Sequence, residues 1–290
     1  MTVLAHLPPA DADASRSLKH WTLDDIPWHN FDRSQVQPGL LSLVKAASMV
    51  EHNGEDYARY LCEVFSDDAG FQQAARQWAA EEVQHGEALR RWALLADPAF
   101  DFDKNFGAFT EGYQLPTQVS ASVRGSRSGE LIARCIVETG TSSYYTAIKD
   151  YTGEPVLKAI CARIAGDELR HYKLFYTYLQ RYQRREKIGL LRRLRVALGR
   201  IFESGDDELA YAFFAAHGAS GRYDRKRSSN QYLALAAALY RRRHIEKMAA
   251  MLFKAVGLSP QSRLCRGAGA LAWRLLQWRG RRLRNALHPA

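Results

Sequence analysis

The sequence predicts an all-α protein: a four-helix bundle with one long crossover, followed by a basic helical extension. Three observations carry this. Apolar residues recur at helical spacing in four long runs, no stretch alternates with the period of a strand, and the connections between the runs are short, long and short in that order. Residues 1–36 have Pro8, Pro9 and Pro27 and little periodicity, as expected of an irregular N-terminal arm. From Pro38, suited to a first helical turn, "GLLSLVKAASMVEHNGEDYARYLCEVF" predicts one helix to about Phe65. "SDDAG" breaks the pattern, and a second helix is expected over about 70–96, stopping before Pro98. Residues 97–127, rich in Asp, Phe, Gly and Pro, form the long connection. A third helix spans about 128–151, "YTGEP" turns the chain, and a fourth spans about 155–185.

Two helical hairpins joined by one long connection have ferritin-like topology, so residues 37–186 read as a ferritin-like four-helix bundle and 187–290 as the extension. With 47% hydrophobic and 25% charged residues, the chain has the composition of a globular protein and not of a disordered one. No run of about 18 apolar residues occurs, so no membrane-spanning helix is expected. The start, "MTVLAHLPPADADASRSLKH", places Pro-Pro and acids where a signal peptide keeps an apolar core, which predicts a cytoplasmic protein. Cys62, Cys135, Cys161 and Cys265 are scattered without a CxxC pair and read as reduced, mostly buried thiols.

Charge divides the chain. Residues 181–290 carry 24 Lys and Arg against 7 Asp and Glu, net +17, which leaves −7 for residues 1–180. "RREKIGLLRRLRVALGRIF" and "LAWRLLQWRGRRLRNALH" interleave Arg with apolar residues at helical spacing. Their apolar faces, around Leu190, Leu191, Leu194 and Val196, or Trp273 and Trp278, suit peripheral contact with an anionic membrane at its inner face. An acidic carrier protein would meet the same charge, whereas RNA is not expected, because no aromatic-rich recognition motif is present. Ser204, ahead of a run of acids, is a good helix start.

The chemistry lies in two short stretches. In "WAAEEVQHGEAL", Glu82 and His85 share one helix face, and 86 residues later "IAGDELRHYKLF" repeats the spacing with Glu168 and His171. Chance alone supplies about 0.5 such pairs in a chain of this composition, so the pairs alone decide little. The partner glutamates decide. Glu138 lies 30 residues before Glu168 and Glu51 lies 31 before Glu82, each in the preceding helix and each followed at +6 by a tyrosine, Tyr144 and Tyr57, which are expected beside the ligands. A Glu from each of two helices plus Glu-x-x-His from the other two is the ligand set of carboxylate-bridged di-iron bundles. Oxygen-rich ligation with imidazole suits iron or manganese. Glu55, one turn after Glu51, is the rival ligand. Glu81 and Asp167 precede the two motifs and are candidates to hold the outer N–H of His171 and His85 across the bundle. His217, His244 and His288 lack a Glu at −3 and read as non-ligands.

"WAAEEVQHG", "AGDELRH" and "VETGTSSYYTAI" resemble segments of the soluble acyl-[acyl-carrier-protein] desaturases, over about residues 45–180. The resemblance implies that Glu51, Glu82, His85, Glu138, Glu168 and His171 bind two iron ions (Fe2+/Fe3+), with a manganese–iron pair as the alternative. It implies Thr141 as a catalytic hydroxyl beside the O2-binding face and Trp78 near the site. It further implies O2 as co-substrate, an external ferredoxin-like electron donor, and a fatty-acyl or related lipid substrate, carried on acyl carrier protein or free. The expected activity is O2-dependent desaturation or hydroxylation of that substrate, and a homodimer is compatible with it. Rival readings are a di-iron hydroxylase of tRNA or quinone, a ferroxidase or iron-handling ferritin-like protein, and a metal-free membrane-binding module.

Overall fold

The computed structural model describes residues 20–115, 119, 121–203, 207–219 and 221–287. The expectations about the first 19 residues, Ser204 and His288 lie outside the described residues. Among the described residues the chain is all-α, without strands, and the bundle is built from α1 (Pro38–His52), α2 (Gly54–Val64), α3 (Ala69–Ala96), α5 (Arg127–Tyr151) and α6 (Pro155–Glu186).

Each long helix begins where its sequence supplies an acceptor for exposed backbone N–H groups. Asp68 accepts from Phe71 N ahead of α3, and Ser126 from Gly129 N ahead of α5. At the α5 start, the Glu186 carboxylate from the end of α6 also accepts from Arg127 N and Ser128 N, at 3.1 and 2.7 Å. Glu154 caps α6 by accepting from Val156 N and Leu157 N, with Pro155 in the first turn.

The single helix expected from Pro38 to about Phe65 is in fact two. Asn53 leaves helical geometry between α1 and α2, at an Asn-Gly pair of the kind that favours turns. Packing fixes the break there. A Cβ on Gly54 would sit 2.8 Å from Glu82 Cβ, and one on Gly86 would sit 2.6 Å from His52 N, so α1 can end against α3 only across these glycines. The long connection contains a helix of its own, α4 (Phe102–Gly112), started by Asp101.

The extension comprises α7 (Leu190–Glu203), α8 (Asp207–Ala216), α9 (Arg225–Leu239), α10 (Arg242–Ala255) and α11 (Arg263–Leu287). It packs on one side of the bundle: α7 and α10 on α5, α8 on α1 and α4, and α9 on α1 and α5. Phe213, Ala236 and Leu239 join the same buried cluster as Leu43, Trp92 and Tyr145, so bundle and extension share a core. On α7, Leu194, Val196 and Ala197 pack inward while Leu191 and Phe202 stay exposed. His244 pairs with Asp150 at 2.8 Å and His217 with Ser42 at 3.1 Å, which accounts for both histidines without a metal. Cys135, Cys161 and Cys265 are buried free thiols, and Cys62 is half-buried.

The N-terminal arm runs through three single-turn 3-10 helices at Leu23–Asp25, Trp28–Asn30 and Arg33–Gln35. It covers the opposite side, near α3 and α6, where Gln84 donates to Trp21 O and Arg163 to Asp25 O.

Glu154 ties three of these parts together. Besides capping α6, it accepts from Trp92 Nε1 at 2.6 Å and from Asp32 N in the arm at 3.1 Å, and it is fully buried. Replacement of Glu154 by Ala leaves the indole N–H and the first turn of α6 unsatisfied. It should lower unfolding free energy by about 2 to 4 kcal/mol in denaturant titration. A loss under about 0.5 kcal/mol, the range of ordinary surface changes, would contradict this account.

Candidate metal centre

Between two apolar clusters, one around Leu89 and Tyr145 and the other around Phe71 and Phe175, the bundle holds a layer of buried carboxylates and imidazoles. Glu51 comes from the last turn of α1, Glu82 and His85 from α3, Glu138 from α5, and Glu168 and His171 from α6. Their ligand atoms form two quartets, each within 4.8 Å: Glu51, Glu82, His85 and Glu168, and Glu82, Glu138, Glu168 and His171. Glu82 and Glu168 belong to both. The glutamates of the two Glu-x-x-His motifs therefore sit between the quartets, while Glu51 and Glu138 each serve one.

The histidines show how the layer is oriented. His85 Nε2 lies 3.0 Å from Asp167 Oδ2 and His171 Nε2 lies 2.8 Å from Glu81 Oε2, each acid coming from the other hairpin. With Nε2–H held by these acids, both Nδ1 atoms face the centre. His85 Nδ1 is 3.3 Å from Glu168, and His171 Nδ1 is 3.0 Å from Glu82. Both Nδ1 atoms, with Glu138 Oε1 and Glu168 Oε1, are buried without a hydrogen-bond partner. Buried polar atoms are rarely left so, and these are the atoms that a metal would take.

Charge supports the same fit. Four buried carboxylates in one layer carry four negative charges, which two divalent cations would neutralise. Without them the carboxyls cannot all ionise. Burial, reinforced by Glu82, pushes Glu51 well above the usual carboxylate range, and burial does the same to Glu138. Burial also opposes ionisation of Glu82, but hydrogen bonds from Glu51, His171 and His85 outweigh it and hold Glu82 low. Outside the layer, burial works against Glu81, yet its bonds to His171 and His20 bring it down to about 2. Asp167 is likewise held low, against burial, by His85, Trp21 and Arg170. The outer acids thus stay charged and fix the imidazoles. His20, Glu81 and Asp167 also form a half-exposed cluster of their own, bridged by Arg170.

Thr141 Oγ1 donates to Glu168 Oε2 at 2.5 Å. Trp78 meets the His171 ring edge-on, with centroids 6.4 Å apart. Glu55 is exposed on α2, so Glu51 is the residue that the first helix brings into the layer.

The tyrosines are a correction. Tyr144 bonds to no ligand, and its buried hydroxyl lacks a hydrogen-bond partner. Tyr145 instead donates to Glu51 Oε1. Seven residues, not six, return to the same helix face, so Tyr145 lies on the side of Glu138 and Tyr144 does not. Tyr57 donates to Glu208 of the extension, because the break at Asn53 destroys the assumed register from Glu51. The sequence reading also missed Trp21. Its Nε1 donates to Asp167 at 2.7 Å, and its ring stacks on His85 with centroids 6.0 Å apart and planes 4° from parallel. No local pattern in the arm signals this.

Residues 55–186 match the model of a family described as fatty acid desaturase. The match takes in Glu82, His85, Glu138, Glu168 and His171, and leaves out Glu51, the arm and the extension. The match spans less than half of the 290 residues and shows a likeness to that family. Comparison with curated proteins finds none that matches.

Two transition-metal ions per chain are expected after iron-supplemented expression, read by metal analysis of the folded protein. Glu55→Ala should keep both, whereas Glu51→Ala should lose at least one; the reverse result would move the ligand to α2. Because Glu51 and Glu138 titrate high, metal uptake near neutral pH should release protons, and metal affinity should fall as pH drops.

Proposed function

We propose that the chain is an O2-dependent oxidoreductase with two iron ions, or a manganese–iron pair, that desaturates or hydroxylates a fatty-acyl or related lipid substrate. One observation carries the reading: two Glu-x-x-His motifs face each other with shared glutamates and with inward Nδ1 atoms that have no other partner. Glu51, Glu82, His85 and Glu168 would hold one ion, and Glu82, Glu138, Glu168 and His171 the other. When bound, the pair would supply the reductive use of O2 that breaks an unactivated C–H bond, with electrons from an external ferredoxin-like donor.

The chain's own groups prepare that chemistry. Asp167 and Glu81 keep the Nε2 protons of His85 and His171, so both imidazoles present a lone pair inward. Tyr145 steadies Glu51 and Thr141 steadies Glu168 by donated hydrogen bonds. A cavity of about 60 Å³ beside the ligands, lined in part by Val50, Trp78, Val137 and Thr141, leaves space for the reacting carbon and little else. Among the described residues no helix is long and apolar enough to cross a membrane. Exposed Leu191, Phe202, Leu271 and Trp278 on the arginine-rich α7 and α11 support peripheral contact with anionic lipid.

Thr141→Val should retain both metals and lower the product formed per O2 consumed by several-fold, with hydrogen peroxide making up the difference. Unchanged coupling would leave Thr141 a packing residue. Separately, the protein should sediment with vesicles containing phosphatidylglycerol and only partly dissociate in high salt, since exposed charges are screened over about 10 Å at 0.1 M while apolar insertion is not. Leu275→Glu with Trp278→Glu should weaken that binding; equal sedimentation with neutral vesicles would count against the anionic surface.

A further inference from the structure

A second pocket, of about 250 Å³, lies beyond the small cavity at the ligands. Tyr57, Arg134, Arg200 and Glu208 line both, so these four side chains stand where the two meet. Two of them, Arg200 and Glu208, belong to the extension. The outer pocket is mixed: Leu115, Val123, Leu209 and three tyrosine rings give it apolar wall, while arginine and glutamate side chains give it charged groups. A bare acyl tail laid here would leave buried guanidinium donors without partners, at a cost of about 1 to 3 kcal/mol each. A molecule with a charged end beside an apolar part fits such a wall better.

The charges in this pocket are unevenly satisfied. Arg124 and Glu203 close on each other through two bonds of 2.7 and 2.5 Å. Glu130 accepts from the Tyr60 and Ser122 hydroxyls, both at 2.8 Å. Glu208 accepts from Tyr57. Arg134 is only 7% exposed, yet its Nε has no hydrogen-bond partner, and the nearest carboxylate oxygen, on Glu130, is 3.8 Å away. Its guanidinium rests over the Tyr57 ring at 5.1 Å. Arg200 Nε is buried and unpartnered as well. With Arg124 and Glu203 closed on each other, Arg134 and Arg200 remain opposite Glu130 and Glu208, and the buried Nε groups of both arginines have no hydrogen-bond partner. A guanidinium with open N–H groups in a shielded site takes a planar or tetrahedral oxyanion by paired hydrogen bonds.

We propose that Arg134 and Arg200 form the subsite for an anionic head group, a carboxylate or a phosphate monoester, of the molecule that reacts at the centre. The proposal rests on the metal-centre reading for what lies at the inner end. Arg134 precedes Glu138 by one turn of α5, about 6 Å along the axis, and the inner cavity is only about 60 Å³. The carbon presented to the centre is therefore close to the head group, not in the middle of a long chain. The extension thereby acquires a role at the site, since Arg200 supplies half of the subsite.

Isothermal titration of the full chain tests this, with octanoate, octyl phosphate, 1-octanol and inorganic phosphate as probes, on metal-loaded and metal-free protein. At least one of the two anionic amphiphiles should bind ten-fold or more tighter than 1-octanol. The one that binds tighter identifies the head group as carboxylate or phosphate. Arg200→Gln, at a half-buried position, should lower that affinity about ten-fold while leaving metal content and 1-octanol binding unchanged. Arg134→Gln should lower it further and Arg134→Lys restore part of it. Equal binding of 1-octanol, inorganic phosphate binding as tightly as octyl phosphate, or anion affinity unchanged in both glutamine variants would each overturn the proposal. Arginine-dependent binding in a chain that takes up no metal would keep the subsite and sink the metal centre. Two bound metals with arginine-independent binding would sink the subsite alone.

Discussion

Four glutamates and two histidines buried in one layer are the constraint on which the rest of this structure depends. Such a layer is unfavourable in an apolar interior unless its charges are neutralised and its remaining atoms are bonded. Helices α3 and α6 must therefore face each other closely enough for each acid, Glu81 or Asp167, to reach the histidine of the other hairpin. Helix α1 must end at the layer so that Glu51 can enter it, which is why Gly54 and Gly86 stand at its contact with α3. The apolar clusters above and below then close the bundle around a polar centre that they could not solvate themselves.

Neither side of that centre is finished by the bundle alone. On the α3/α6 side the arm brings Trp21 onto Asp167 and against His85, and His20 onto Glu81. These contacts keep the outer acids ionised and directional, each beside the Nε2 of one histidine. On the α1/α5 side the extension brings Glu208 to Tyr57 and places Arg200 beside Arg134. One side thus carries the outer bonds of the two histidines, and the other borders the two cavities. The arginines of the extension divide accordingly: most are exposed along α7 and α11, while Arg200 lines the pocket.

In the proposed reading the two cavities would separate two kinds of selectivity. The inner one, small and partly apolar, would restrict which atoms reach the metal centre. The outer one, where buried guanidinium Nε groups lack partners, would restrict what those atoms are attached to. Polar recognition of this type discriminates more sharply than apolar packing, because an unsuitable molecule leaves buried donors unpaired.

The sequence by itself determined the long helices, their order and the six residues that meet in the buried layer. Those depend on local rules: a 3.6-residue period, a first-turn proline such as Pro38, and the three-residue step that puts Glu82 beside His85 and Glu168 beside His171. The same rules carried Glu81 and Asp167, since they adjoin the motifs. Where a local rule was misapplied the reading failed, as with Tyr144 for Tyr145, which differ by one residue and by about 100° of helix rotation. Only the tertiary structure decided the break at Asn53, the place of Trp21 on Asp167, and the meeting of Arg134, Arg200, Tyr57 and Glu208. These are contacts between residues far apart in the chain, set by how closely two helices pack and by which surface the arm and extension cover. No periodicity records them, because a side chain's partner across a core is fixed by packing geometry and not by its neighbours in sequence.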